Sequence, residues 1–187
     1  MTYPIQTYTD GSKDASMVGA GAAIYSNKQL IKQCKYKLCS YCFNNQAQQI
    51  AILKALELQG MEAPTGRKAA IYTDSKVATD SLKNHAMHGF LIEQIRNKIG
   101  HLTIQNWTIH FRWVKAHIGI EGNDAADKLA KQAAQEDENL NFIFDRILIT
   151  SVASRINKKG LKQWHNNGTT QQKEPSAELS SKDWSRG

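Results

Sequence analysis

The chain has 187 residues, 41% of them hydrophobic, which suffices for one core of ordinary size, and no apolar run approaches the roughly 18 residues that span a bilayer. The net charge is +7, and residues 1–135 carry +6 of it because they hold 16 Lys and Arg against 10 Asp and Glu. A basic domain of this kind favours a polyanionic partner such as nucleic acid, although a merely soluble basic protein has the same composition.

The amino terminus and the three cysteines, Cys34, Cys39 and Cys42, bear on targeting and on metal binding. The segment "MTYPIQTYTDGS" lacks the basic and apolar regions of a signal peptide and opens on a strand pattern, which suggests a piece of a longer protein. Cys39 and Cys42 have the spacing of a metal site, but no second pair of Cys or His follows at zinc-finger distance. The sequence therefore favours free thiols over zinc.

Alternating patterns predict three strands at the start of the chain. They are "YPIQTYT", which runs into the turn signal "DGS", then "GAGAAIYS" and "KQLIKQCKYKLC", with a hairpin break at "SNKQ". The next segment, "NNQAQQIAILKALEL", predicts a helix because its leucines, isoleucines and alanines share one face. Asn44 or Asn45 can cap this helix.

The following segments alternate between strands and helices. "AAIYT" predicts a buried strand, and "DSKVATDSLKN" predicts a helix that begins with a capping Asp or Ser. A helix over residues 89–99, a strand over "NWTIHFRWV" and a helix over "GIEGNDAADKLAKQAAQ" come next. Three leading antiparallel strands followed by this alternation predict an α/β fold with a mixed sheet flanked by helices.

The composition changes after Gln135. We predict a domain over residues 1–135 and a C-terminal extension over residues 136–187, which contains a short helix and a disordered polar tail. The apolar segment "FIFDRILI" is too small to fold alone, and it could dock on the domain, on a missing neighbour or on a second copy.

Acidic residues stand at the ends of the predicted elements. Asp10 and Asp74 close two strands that both end in "YTD", Asp127 lies early in the last helix, and Gln48 lies in the first turn of the first helix. Singly, each has an ordinary interpretation as a turn residue, a cap or a solvated position. Together, the three aspartates predict a cluster of carboxylates, and their mutual repulsion requires protons or cations to compensate it.

Oxygen ligands of this kind select Mg²⁺ or Mn²⁺. Two such ions about 4 Å apart can activate a water and stabilise the leaving oxygen of a phosphodiester. The sequence therefore predicts phosphodiester chemistry that depends on divalent cations.

Four segments resemble, in order and spacing, the signature of the ribonuclease H family: "YTDGSK", "NNQAQQIAILKALE", "YTDSKVATDSL" and "WVKAHIGIEGNDAADKLAKQA". The resemblance covers residues 3–135 and is strongest to the type 1 domain that LINE-type (non-LTR) retrotransposons carry behind their reverse transcriptase. It implies a ribonuclease H-like fold, with a five-stranded mixed sheet in the order 3-2-1-4-5. It also implies metal-dependent hydrolysis of the RNA strand of RNA–DNA hybrids.

The resemblance implies roles for individual residues. Asp10, Asp74 and Asp127 fall on the metal-binding aspartates, and His117 falls on a loop histidine that assists proton transfer or product release. Gln48 falls on a catalytic glutamate that helps to hold one metal ion. Contacts with the hybrid are implied for Gly11, Ser12, Asn44, Asn45 and Ser75.

An amide at position 48 keeps an oxygen ligand but removes one negative charge. We therefore expect weaker binding of the second of two Mg²⁺ ions, for which Mn²⁺ can substitute, together with impaired cleavage and retained hybrid binding. The intact remainder of the signature favours a deliberate replacement of Glu by Gln, and natural drift stays open.

The resemblance implies two partners, an RNA–DNA hybrid and the reverse transcriptase domain of the same polyprotein. It implies no membrane, a monomeric isolated domain, and a location in the nucleus or in a cytoplasmic ribonucleoprotein. A non-catalytic hybrid-binding or spacer module is the alternative. A DNA-cutting transposase or resolvase fits less well, because those proteins usually lack the segment "WVKAHIG".

Two further features have open or provisional interpretations. The basic segment over residues 83–101 could follow phosphates or form the solvated face of a helix. Trp107 and Trp113 share one face at strand period and are predicted to lie in the core.

Overall fold

The computed structural model describes residues 3–15, 17–59, 67–116 and 118–136. All elements given below belong to the first of the chain's two units, Met1–Arg146, and the second unit lies outside the described residues. The predicted domain boundary and the predicted helix of the extension therefore stay predictions. Within the described ranges, no helix combines the length and the apolar character needed to cross a membrane.

One five-stranded sheet organises the described residues. Its strands are β1 (Ile5–Asp14), β2 (Met17–Ser26), β3 (Gln29–Leu38), β4 (Lys68–Thr73) and β5 (Thr108–Trp113). The helices are α1 (Asn44–Gln59), α2 (Lys76–Lys83), α3 (Phe90–Ile104) and α4 (Glu121–Gln135). The strand order is β3-β2-β1-β4-β5; β2 pairs antiparallel with β1 and β3, and β4 pairs parallel with β1 and β5. The predicted ribonuclease H-like sheet is confirmed.

Strand β1 is longer than its sequence pattern predicts. The segment "DGS" predicts a turn, but β1 continues through it to Asp14 because its residues stay paired with β2. Pairing with β4 nevertheless ends at Thr9 and Thr73. Asp10 and Asp74 each follow this last parallel pair, so the two carboxylates emerge side by side, as the sequence predicts.

Helices cover both faces of the sheet. On one face, α1 and α3 bury a core that includes Ile52, Leu56 and Ile95 against β1 and β4. On the other face, α4 packs Leu129 against Tyr25 of β2. A sheet that is covered on both faces exposes its strand ends, and these ends are where the candidate site lies.

Helix α4 lies almost in contact with the backbone of β2. A Cβ atom on Gly21 would lie 2.4 Å from the carbonyl oxygen of Ala126, and one on Gly19 would lie 2.3 Å from that of Ala130. Such an approach requires glycine on the strand because any side chain would push the helix away. This packing carries Asp127, which follows Ala126, toward the strand end that bears Asp10.

Helix α3 is longer than predicted, and one of its basic residues has a structural role. The helix continues to Ile104, beyond the predicted end at residue 99, since Leu102 continues the buried face. Arg96 donates to the backbone carbonyls of Ser81, Asn84 and Met87 and to the Glu93 carboxylate. Arg96 therefore holds the connection between α2 and α3, and its donors serve the fold.

The carboxyl end of α4 provides a first testable prediction. Lys37 on β3 donates to the carbonyl oxygens of Ala134 and Glu136, at 2.5 and 2.6 Å. An ammonium group there satisfies terminal carbonyls and favours the negative end of the helix dipole. We expect Lys37→Met to lower the free energy of unfolding in urea by about 1 kcal/mol.

The matched control is Gln33→Met on the same strand, where the side chain is exposed. It should change the free energy of unfolding by less than about 0.5 kcal/mol. Equal effects of the two substitutions would contradict a capping role for Lys37.

Candidate active site

Three predicted residues meet beside the start of α1, at the point where the pairing of β1 with β4 ends. The side-chain nitrogen of Gln48 donates to Asp10 Oδ1 at 2.7 Å and to Asp74 Oδ1 at 3.0 Å. Gln48 is only 5% exposed, so these hydrogen bonds are largely shielded from water. The amide thus joins two carboxylates that would otherwise face each other without a donor between them.

The position of Gln48 depends on a close contact between α1 and β1. A Cβ atom on Gly11 would lie 2.4 Å from the backbone nitrogen of Gln48. The Thr73 hydroxyl lies 3.5 Å from Gln48 Oε1 and donates to it. This contact orients the amide with its NH₂ group toward the carboxylates.

The first turn of α1 begins differently from the prediction. Asn44 and Asn45 lie within the helix and are exposed, so the prediction that one of them caps it is wrong. Instead, the Gln46 side chain accepts from the backbone nitrogen of Phe43 at 2.9 Å, and the Phe43 carbonyl accepts from Ala47. Because Gln46 satisfies this end of the helix, both asparagine amides remain at the surface next to Gln48.

Asp74 is held by its neighbours on both sides. Ser75 accepts from the backbone nitrogen of Ala78 at 3.1 Å, which confirms the predicted Ser cap of α2. Trp113 on β5 donates through Nε1 to the carbonyl oxygen of Asp74 at 2.9 Å. These two contacts fix the turn that presents the Asp74 carboxylate.

The two tryptophans of this region have different environments. Trp107 is 4% exposed and confirms the prediction of a core residue. Trp113 is 53% exposed, so the same prediction is wrong for it. Because Trp113 lies on the last strand of the sheet and uses its ring nitrogen for the Asp74 backbone, it supports the site and not the core. The "YTD" strand end pointed to Asp74 itself, but nothing in the sequence pattern signalled this contact.

Asp127 reaches the site from α4 but has a different partner. Its Oδ2 accepts from Lys131 at 2.7 Å, one helical turn away. Sequence reasoning missed Lys131, although an Asp and a Lys four residues apart on a helix are a known pairing signal. The structure therefore brings together Asp10, Gln48 and Asp74, and places Asp127 close enough for its charge to affect Asp10.

The electrostatics of the site centre on Asp10, which is 4% exposed. Burial raises the pKa of Asp10 to about 7, and the negative charges of Asp74 and Asp127 also raise it. Hydrogen bonds from the Gly11 backbone nitrogen, at 2.6 Å, and from Gln48 oppose this shift. The site thus carries negative charge that the protein's own donors compensate only in part.

The fit of this site to a divalent cation follows from its donors. Within the described residues, no three His, Cys, Asp or Glu side chains lie close enough together to hold a metal ion. An amide occupies the central position, and Lys131 pairs with the third carboxylate. The raised pKa of Asp10 and the carboxylate oxygens of the three aspartates nevertheless fit a hard cation, which would relieve the repulsion among these carboxylates.

The structure gives the positions of most of the remaining predicted residues, but their contacts with a substrate are untested. Gly11 is buried beneath α1, Ser12 is half-buried on β1, and Ser75 caps α2. His117 lies outside the described residues. Contacts of Gly11, Ser12, Asn44, Asn45 and Ser75 with a hybrid stay predictions.

The raised pKa of Asp10 predicts a pH-dependent effect on stability. A carboxyl whose folded pKa exceeds its unfolded value stabilises the fold at low pH and loses this contribution as the pH rises, here between about 4 and about 7. Asp10→Asn keeps the shape and cannot ionise. We expect this variant, in EDTA, to gain more than about 1 kcal/mol relative to the parent between pH 4 and pH 8.

Urea denaturation at several pH values measures this difference. Asp14→Asn, at the exposed end of the same strand, controls for the change in net charge. A constant difference between Asp10→Asn and the parent across this pH range would show that Asp10 ionises freely in the fold.

Comparisons with known proteins agree with this architecture. The family model described as RNase H matches residues 3–135. The chain is 30% identical over 153 residues to the ribonuclease HI of Rickettsia prowazekii (strain Madrid E), which covers 72% of this chain and 93% of that protein.

Two solved structures share the fold. One is LC11-RNase H1 in complex with an RNA/DNA hybrid, with 22% identity, a TM-score of 0.56, and coverage of 70% of this chain and 96% of that one. The other is a foamy viral protease-reverse transcriptase in complex with dsDNA, with 22% identity, a TM-score of 0.57, and coverage of 71% and 95%.

Proposed function

Because this chain belongs to the ribonuclease H family, we propose that it binds RNA–DNA hybrids and that its site is built for metal-dependent endonucleolytic hydrolysis of the RNA strand. We further propose that Gln48, at the position of a catalytic glutamate, leaves cleavage strongly impaired while hybrid binding persists. The observation that supports this proposal is the junction of Asp10, Gln48 and Asp74 at one end of the sheet, with Asp127 nearby.

Each residue has a role in this proposal. The carboxylates of Asp10, Asp74 and Asp127 and the Gln48 side-chain oxygen would hold Mg²⁺ or Mn²⁺. When bound, the cations supply an activated water and stabilisation of the leaving oxygen. Asn44 and Asn45 lie exposed beside Gln48, and their amides suit the 2′-hydroxyl groups that distinguish RNA from DNA. His117 would assist proton transfer or product release.

The biological context of the proposal is retroelement reverse transcription. Its support is the resemblance of the four signature segments to LINE-type domains, together with the fold shared with a protease-reverse transcriptase. The proposed partner is therefore a reverse transcriptase domain of the same polyprotein. The proposed location is where such an element copies its RNA, in the nucleus or in a cytoplasmic ribonucleoprotein.

A non-catalytic hybrid-binding or spacer module is the second candidate. The Gln48 amide favours it, because its two hydrogen bonds neutralise part of the repulsion between Asp10 and Asp74 without a cation. Such a site would keep its shape in the absence of metal and could bind hybrid without cutting it.

Cleavage of an end-labelled RNA–DNA hybrid in Mg²⁺ and in Mn²⁺ separates the two candidates. The assay compares this chain with its Gln48→Glu variant, and a parallel binding assay shows whether both proteins hold the hybrid. Cleavage by the variant supports the enzyme. Binding by both proteins with cleavage by neither would support the binding module.

A further inference from the structure

Lys131 supplies the counter-charge of Asp127 in the structure. Its ammonium lies 2.7 Å from Asp127 Oδ2, and its side chain is 56% exposed. The Asp127 side chain is 20% exposed, so the pair is open to solvent on the lysine side. Surface pairs contribute less than about 1 kcal/mol, and the exposed lysine can therefore exchange its partner. The same ammonium also interacts with Asp10, which places it within the electrostatic reach of the candidate active site.

A cleft of about 350 Å³ adjoins Lys131. It lies between β1 and α4, and its walls include Ser12, Lys13 and Asp14 from the strand and Lys131 and Gln135 from the helix. Its strand wall begins at Ser12, two residues after Asp10, and Lys131 connects it to Asp127 of the candidate site. Its size and its hydroxyl, amide and ammonium donors suit an anionic group larger than a water molecule.

The two lysines of the cleft differ in their availability. Lys13 donates to the carbonyl oxygens of Cys42 and Ser40 and lies 5.5 Å from the centroid of the Phe43 ring. These contacts tie its ammonium to the loop before α1. Lys131 is bound to a single carboxylate that is itself a proposed cation ligand. Of the two lysines, Lys131 is therefore the one whose ammonium can change its partner. Asp14, which also lines the cleft, offsets part of its positive charge.

From this geometry we propose that the cleft binds a backbone phosphate of the hybrid, and that Lys131 moves from Asp127 to this phosphate when divalent cations occupy the carboxylate site. A cation that takes Asp127 repels the neighbouring ammonium, and a phosphate in the cleft attracts it. Metal loading and hybrid binding are thereby coupled through one side chain. The proposal rests on the function proposed above, and it makes Lys131 a substrate-binding residue that competes with metal.

Competition predicts opposite effects of one substitution on two ligands. Without nucleic acid, Lys131→Met should raise the affinity for Mn²⁺ about twofold to fivefold because the ion pair no longer competes. In Mg²⁺, the same substitution should weaken hybrid binding about threefold to tenfold and reduce the slope of log affinity against log salt by about 1. Lys131→Arg should retain the hybrid affinity, since guanidinium also binds phosphate.

Electron paramagnetic resonance of free Mn²⁺ and fluorescence anisotropy of a labelled hybrid, in EDTA and in Mg²⁺, measure these effects. Lys128→Met is the matched control: it removes the same charge from the exposed face of the same helix. Its effect on hybrid affinity should be the same in EDTA and in Mg²⁺, whereas the effect of Lys131→Met should be larger in Mg²⁺.

The outcomes separate this inference from the proposed function. If the parent binds neither Mn²⁺ nor hybrid, the proposed function is wrong. If the parent binds both and Lys131→Met behaves as Lys128→Met does, the function stands and the exchange of Lys131 is wrong. Weaker binding of both ligands to Lys131→Met would also overturn the exchange, because competition requires opposite signs.

Discussion

Replacing Gln48 by Glu is expected to raise Mg²⁺-dependent cleavage of the RNA strand by about 100-fold to 1,000-fold over this chain. Loss of one preorganised electrostatic group from an active site typically lowers turnover by about this factor. In the structure, the Gln48 amide donates to Asp10 and Asp74, so it presents hydrogen atoms where a carboxylate would present negative charge. Glu would add one negative charge at this position, and under the proposed function this charge should raise the affinity for the second cation.

The same substitution should change stability in a metal-dependent manner. In EDTA, a third carboxylate beside Asp10 and Asp74 adds repulsion, and we expect the free energy of unfolding to fall by about 2 kcal/mol. Mg²⁺ should reverse this loss because it binds the folded state selectively. The parent should respond much less to Mg²⁺, since its amide already joins the two carboxylates.

Gln49→Glu is the matched control for both measurements. It adds the same charge at the next position, which is partly exposed and lies outside the amide junction. Faster cleavage by Gln49→Glu would show that the acid of the family signature belongs at position 49 and not at position 48. An unchanged rate for Gln48→Glu, in a protein that binds Mg²⁺ and hybrid, would leave the non-catalytic module as the better description.

Much of this fold follows from local patterns in the sequence. The hairpin between β2 and β3 was predictable because "SNKQ" marks a break between two strand patterns. In the structure, Asn27 and Lys28 form this turn with positive φ values of 48° and 67°. The apolar period of α1 similarly predicted which of its faces is buried. The extension of β1 beyond Asp10 was not predictable, because pairing with β2 outweighs the turn preference of "DGS" and only tertiary structure supplies that partner.

The candidate site, like the fold, was predictable from the sequence only in part. Strand ends and the helix start predicted that Asp10, Asp74 and Gln48 would converge. The orientation of the Gln48 amide depends on the Thr73 hydroxyl, a neighbour that is distant in sequence. Trp113 was predicted to be buried because period alone cannot tell an inner strand from the last strand of a sheet. Sequence patterns thus locate the site, and packing decides its contacts.

Gly11→Ala is expected to be one of the most damaging single substitutions in the sheet. The new Cβ would lie 2.4 Å from the Gln48 nitrogen, 2.7 Å from the Ala47 carbonyl carbon and 2.8 Å from the Ala47 Cβ. Because these are backbone or buried atoms, α1 must shift as a whole, and we expect the free energy of unfolding to fall by about 3 kcal/mol or more. The family resemblance implies a substrate contact for Gly11. In the structure, the close contact of Gly11 with α1 is by itself sufficient to exclude a side chain at this position.

Two further glycine substitutions serve as comparisons for Gly11→Ala. Gly21→Ala produces a clash of the same severity, 2.4 Å from the Ala126 carbonyl oxygen, but against α4 and not against α1. Gly100→Ala meets nothing within 4 Å on α3 and should stabilise the helix by about 0.5–1 kcal/mol.

Introduced into the Gln48→Glu background and assayed well below each melting temperature, Gly11→Ala and Gly21→Ala should both lose cleavage, whereas Gly100→Ala should cleave at the rate of its parent. This follows because Gly11→Ala displaces the turn that bears residue 48 and Gly21→Ala displaces the turn that bears Asp127, whereas a Cβ on Gly100 meets no other atom within 4 Å. If Gly11→Ala unfolds at the same urea concentration as its parent, α1 does not lie against β1 as described, and the junction of Gln48 with Asp10 loses its structural basis.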